Sequence, residues 1–175
     1  MGVLVFTGGW WALVQVDRAS ALLNLSYAVS PSLVHATVMT YGFIPLFFTG
    51  FLFTAGPKWL GVRPLEAPQL RAPLVLLAAS WGFWVTGSHL NARLAVIGLT
   101  GAVLGLGWIV GLFWRLIVAS TAEDRLHAKV IGVGGIVGCL SLAGACIAMW
   151  LDAAEVSRAF VLTGLWGRSE ERRVG

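Results

Sequence analysis

Residues 32–59 read S-L-V-H-A-T-V-M-T-Y-G-F-I-P-L-F-F-T-G-F-L-F-T-A-G-P-K-W, and this stretch decides the fold. Residues 32–55 contain no Lys, Arg, Asp or Glu over 24 positions. As a helix they would be about 36 Å long, enough to cross a hydrocarbon core of about 30 Å with some tilt. His35 and Met39 stand four apart, so a helix puts both on one face. Gly42 is expected on the same face, leaving room for a close helix or a flat ligand. Gly56-Pro57 should end the segment, with Lys58-Trp59 as an interfacial anchor.

The rest of the chain has the same character. It is 58% hydrophobic and 11% charged, where a soluble domain carries roughly 25% charged residues. The charges cluster between long apolar tracts, which is the pattern of a polytopic membrane protein. The pI near 9.7 needs no nucleic-acid partner, because basic residues in cytoplasmic loops account for it. The lipid bilayer is the implied partner.

Working outward, residues 3–16 are apolar but short for a span. Either that helix continues to about Leu25 through Asp17-Arg18, or it begins in a longer helix, the reading favoured here. Residues 17–31 form a mixed connection with room for a short interfacial helix. Downstream, residues 58–71 read as a proline-bearing loop and residues 72–90 as the third span, with Pro73 in its first turn. Residues 94–118 and 130–150 are the fourth and fifth spans. Gly101 and Gly105, and Gly107 and Gly111, mark small-residue faces for tight packing in lipid. Residues 159–166 start a sixth span. The expected fold is therefore an all-α polytopic transmembrane bundle: five spans plus the start of a sixth, in one domain over residues 1–167.

Basic residues concentrate in alternate loops. Lys58, Arg63 and Arg71 lie in one, and Arg115, Arg125 and Lys129 in another, against single arginines at Arg18, Arg93 and Arg158. The positive-inside rule then places the N-terminus in the cytoplasm and His35 near the outer end of its helix. Residues 168–175, R-S-E-E-R-R-V-G, break the apolar pattern with charges that cannot cross a bilayer. They read as a non-native tail, the native chain being expected to continue past Gly167 into a further half of the same bundle.

Few residues carry chemistry. An ionisable group inside a span is a functional candidate by default. Imidazole is the commonest metal ligand and a thioether can join it on haem or copper, so His35 is the primary candidate and Met39 the second. The bland alternative for His35 is an interfacial histidine bonded to a neighbouring helix, and for Met39 simple packing. His89, beside Ser88 and Asn91, reads as a solvated turn residue at a depth that would let it share a site with His35. His127 reads as an interfacial histidine. Cys139 and Cys146, seven apart on one helix face, are about 10 Å apart along the axis and cannot form a disulfide. They read as packing residues. Pro45 removes a backbone bond to the Tyr41 carbonyl, which predicts a kink or thinning at mid-helix. Trp10, Trp11, Trp59 and Trp150 read as interfacial belt residues. No phosphate-binding, dinucleotide, nucleophile-elbow, HExxH or CxxC pattern is present.

The chain resembles the NnrS family of haem- and copper-containing bacterial membrane proteins of the nitric oxide response. The resembling residues are His35-Ala36, Met39, Tyr41-Gly42-Phe43, Gly50-Phe51-Leu52 and Thr54-Ala55, with Pro57 and Trp59. Agreement continues more weakly through residues 125–142 and 164–167. The family's first block runs H-A-H-E-M, and here Thr37 replaces the second histidine and Val38 the glutamate. The resemblance implies an inner-membrane protein with haem and copper as cofactors, for which His35, with Met39, would supply ligands. It also implies a role in the nitrosative-stress response. The two departures leave as alternatives a permease or channel-like subunit without a redox centre, or a non-functional fragment. No catalysed reaction is implied.

Overall fold

The computed structural model describes residues 2–166, and every regular element among them is a helix. Helix α1 spans Gly2–Ser20. A second rod follows in three continuous parts: α2, Pro31–Thr37, a π-helical segment, Val38–Phe43, and α3, Ile44–Thr54. The short α4 is Gly56–Leu60. The remaining helices are α5 (Ala67–Leu90), α6 (Ala92–Ala119), α7 (Leu126–Trp150) and α8 (Ala154–Trp166). Among the described residues, four helical stretches are long and apolar enough to cross a membrane: Pro31–Thr54, Ala67–Leu90, Ala92–Ala119 and Leu126–Trp150. With no water in the bilayer core, backbone polar groups must be satisfied within the segment, which is why such tracts fold as helices.

Several boundaries differ from the expectation. Helix α1 does run through Asp17-Arg18 and ends at Ser20, and no interfacial helix follows it. Ala21 and Asn24 adopt left-handed φ values of 53° and 46°, which interrupt any helix there. Gly56-Pro57 does not end in a loop but opens α4, with Pro57 in its first turn. Helix α5 begins at Ala67, five residues before the predicted start at 72. There Glu66 N–H donates to Gln69 Oε1 at 2.9 Å, half of a capping-box arrangement. Pro68 takes the first-turn place, and Pro73 lies buried inside the helix. The charged tail at 168–175 lies outside the described residues.

Helices α5 and α6 form the tightest pair. A Cβ on Gly87 would sit 2.5 Å from Ala95 N, and one on Gly98 would sit 2.5 Å from Trp84 N. Gly105 faces Leu77 across the same seam. Gly107 is only in ordinary contact with Cys139, and Gly111 meets nothing, so the second predicted glycine pair is not a packing seam. Asn91 joins the pair, its Oδ1 accepting from Arg93 N–H at 2.8 Å as the N-cap of α6. Trp81, Trp84, Leu77, Leu99 and Leu142 are fully buried in the core these helices share with α2 and α7.

Hydrogen bonds define the two ends of the bundle. At one end Ser88 O accepts from Ala28 and Val29 N–H, tying the α1–α2 connection to the end of α5. At the other, Ser120 Oγ donates to Leu60 O at 2.7 Å, tying the end of α6 to α4. Val130, Val133, Val137 and Leu140 of α7 are exposed, an apolar face suited to acyl chains.

Candidate functional site

The π-helical segment shapes the site. Pro45 has no N–H to give Tyr41 O, and its ring crowds that carbonyl. The chain responds by widening the preceding turn, so that Ile44 N–H bonds to Met39 O, five residues back. Such π-bulges occur mostly singly inside α-helices. The expected disturbance at Pro45 is thus a widened turn. A wider turn reduces the angular drift between residues four apart, and His35, Met39 and Phe43 all line one hollow. Gly42 does not join them. It is buried and faces α5, where a Cβ would meet the Trp81 indole at 3.1 Å. The flat group that Gly42 admits is therefore Trp81.

The hollow lies between α1 and α2 and has a volume of about 150 Å³. Thr7, Gly8 and the Trp10-Trp11 pair close its other side. The His35 ring stacks on Trp11, with centroids 4.0 Å apart and planes 11° apart. Face stacking leaves the ring edge, where both nitrogens lie, uncovered. Neither nitrogen has a hydrogen-bond partner among the described residues. His35 is half-buried and Met39 is 37% exposed. The imidazole is therefore partly covered, by Trp11, and is not tied to a backbone oxygen among the described residues.

His89 is not a solvated turn residue. It lies in the last turn of α5, and both ring nitrogens are engaged. Trp10 Nε1–H donates to His89 Nε2 at 2.6 Å, and Nδ1 lies 2.8 Å from Ser26 O. An indole N–H can only donate, so Nε2 is the acceptor and Nδ1 carries the proton given to Ser26. His89 thus has no nitrogen left for a metal, and it meets His35 only through Trp10 and Trp11, whose rings are 6.0 Å apart. Tyr27 packs on the same imidazole at 5.1 Å and donates its hydroxyl to Asp17 Oδ2 at 3.1 Å. Burial first, then the Asp17 hydrogen bond and charge, push the Tyr27 phenol above its usual value, with Arg18 opposing.

His127 lies at the other end of the bundle. It is exposed and lines a wider, open hollow with Trp59, Asp124 and Leu126. Cys139 and Cys146 are both free thiols. Cys146 Sγ lies 3.3 Å from Thr100 Oγ1, and Trp150 Nε1–H donates to that same hydroxyl at 3.4 Å. Sequence reasoning missed Trp10 and Trp11 as walls of the site. Their position in an apolar tract is that of any interfacial tryptophan, and only the approach of α1 to α2 distinguishes them.

The donor set at the hollow is one imidazole and one thioether. That pair suits a soft ion such as copper(I), and the imidazole by itself is a common ligand of haem iron. Among the described residues no group of three His, Cys, Asp or Glu could hold a metal ion. A space of 150 Å³ is that of a benzene-sized guest. It admits a metal ion with a small ligand, whereas a tetrapyrrole would have to extend beyond its walls. A family model described as NnrS protein matches residues 2–168. No curated protein and no solved structure matches the chain.

Proposed function

The chain belongs to the NnrS family, and from that membership and the geometry of the hollow we propose that it is a membrane protein of the nitric oxide response that holds a metal centre through His35. The observation that carries the reading is an imidazole fixed face-on against Trp11, its nitrogens without a protein partner, on the same wall as Met39. His35 would bind the metal and Met39 would supply a second, softer ligand. Copper would be held by these two donors directly, whereas a haem, larger than the hollow, would be held by His35 alone and would extend past its walls. Bound there, the metal supplies one-electron chemistry. The chain's own residues orient the imidazole, through Trp11, and exclude water, through Phe43, Val38 and the tryptophans. Apolar walls and a small volume suit an uncharged diatomic such as nitric oxide.

The bilayer is the bacterial inner membrane in this reading. The N-terminus is cytoplasmic, which puts the His35 hollow toward the outer face. The centre is tested on protein purified in detergent from copper- and haem-replete cells. A Soret band or stoichiometric copper, lost in His35→Ala and altered in Met39→Leu, is the expected result. A colourless, copper-free protein that takes up neither group on reconstitution would favour a permease-like subunit instead.

A further inference from the structure

Beyond the hollow, an unbroken row of rings runs from His35 to the end of the bundle. Centroid separations are 4.0 Å from His35 to Trp11 and 6.0 Å from Trp11 to Trp10. They are 6.0 Å from Trp10 to His89 and 5.1 Å from His89 to Tyr27. Two members of the row are bonded through their acidic hydrogen to a base. Trp10 Nε1–H points at His89 Nε2, and Tyr27 O–H points at Asp17 Oδ2. Asp17 Oδ1 is buried and takes no hydrogen bond. Tryptophans serving only as interfacial anchors would direct their N–H groups to headgroups or water. Here the N–H and O–H are held on proton acceptors of the protein itself, in part-buried bonds.

We propose that Trp11, Trp10 and Tyr27 form a relay that carries an oxidising equivalent out of the His35 hollow, with His89 and Asp17 as its proton acceptors. The proposal rests on the redox reading of the hollow only for the source of the oxidant. That oxidant is a small uncharged one-electron acceptor. Nitrogen dioxide is one, and it becomes nitrite on gaining an electron. Trp11 gives up that electron and is refilled by Trp10. As Trp10 loses its electron, its indole proton moves along the 2.6 Å bond to His89 Nε2. A neutral indolyl radical is left beside an imidazolium. An electron from Tyr27 then refills Trp10, the proton returns from His89 to Trp10 Nε1, and the phenolic proton passes to Asp17 Oδ2. The oxidant has then gained one electron, Tyr27 is a phenoxyl radical and Asp17 holds one proton. An aqueous thiolate, giving one electron to the phenoxyl and leaving as a thiyl radical while Asp17 returns the proton, resets the row.

The row needs no metal, so it is tested on chelator-stripped protein in lipid nanodiscs. Nitrogen dioxide is generated by pulse radiolysis, and the tryptophanyl and tyrosyl absorbances are followed in time. The expected result is a tryptophanyl signal that decays as the tyrosyl signal rises, at a rate independent of protein concentration. Tyr27→Phe should abolish the tyrosyl rise and lengthen the tryptophanyl lifetime at least tenfold. Tyr41→Phe should leave both unchanged. Asp17→Asn, which keeps a hydrogen-bond acceptor but removes the base, should slow the tyrosyl rise at least tenfold, as should His89→Phe. A tyrosyl rise that persists in Tyr27→Phe, scales with protein concentration, or ignores Asp17→Asn would overturn the relay. Absence of a Soret band and of copper overturns the metal centre and leaves this kinetic result untouched.

Discussion

The His35 ring is stacked on Trp11. Trp11 covers one face at 4.0 Å, and such an aromatic contact is worth about 0.5–1.5 kcal/mol beyond its buried area. Trp11→Ala should therefore free the ring without removing it. Copper(I) affinity should fall roughly two- to tenfold, read by competition with a chromophoric chelator, whereas His35→Ala should abolish binding. Tyr27 provides a check by pH. Its phenol is held above the ordinary value of 10.0 by burial and by Asp17. The folded protein binds that proton more tightly than the unfolded chain does. The resulting stabilisation is complete below pH 10 and is lost as pH rises through the folded value. Wild type should thus lose more thermal stability than Tyr27→Phe between pH 9 and 11 in detergent melts. His35 was legible as a candidate because an ionisable residue in an apolar tract is costly. Trp11 was not, because nothing within α1 distinguishes a stacking tryptophan from a belt tryptophan.

Among the elements, α5 and α6 show how closely two helices can approach when glycines coincide. Gly98 lies against the backbone at Phe83 and Trp84, so a methyl group there must push the helices apart. Gly98→Ala should cost about 1–3 kcal/mol, as overpacked cores do. Gly134→Ala, on an open side of α7 with nothing within 4 Å, should be neutral or raise stability by about 0.5–1 kcal/mol. Unfolding in detergent, followed by circular dichroism, distinguishes the two. The four-residue glycine spacing on α6 was legible in the sequence, but the partner of each glycine was not. Gly101 and Gly105 meet α5, Gly111 meets nothing, and Gly42 turned out to receive Trp81. The widened turn at Val38–Phe43 was legible only as a disturbance upstream of Pro45. Proline dictates the lost bond, and neighbouring helices decide whether the rod bends or rewinds.

At the scale of the whole molecule, the exposed apolar face of α7 suits a lipid surrounding. Val133, Val137 and Leu140 would be an aggregation hazard in water. In a bilayer they cost nothing, and a charge among them costs about 3 kcal/mol near the centre of the helix. Val137→Lys should accordingly lower the fraction of α7 that inserts, measured by glycosylation mapping of the helix in microsomal membranes. Val137→Leu should leave it unchanged.

The residues alone determined that this is an all-helical membrane bundle, because a backbone in lipid must satisfy itself within each segment, and that requirement is local. They also singled out His35, an imidazole well inside an apolar tract. Whether His35 faced lipid, a backbone oxygen or a hollow was decided by the tertiary structure. So was the engagement of both His89 nitrogens, and so was the joining of the two histidines by a pair of tryptophans. Those outcomes depend on how helices distant in sequence rotate and slide against one another. A connection of ten residues between α1 and α2, and a widened turn before Pro45, set that rotation.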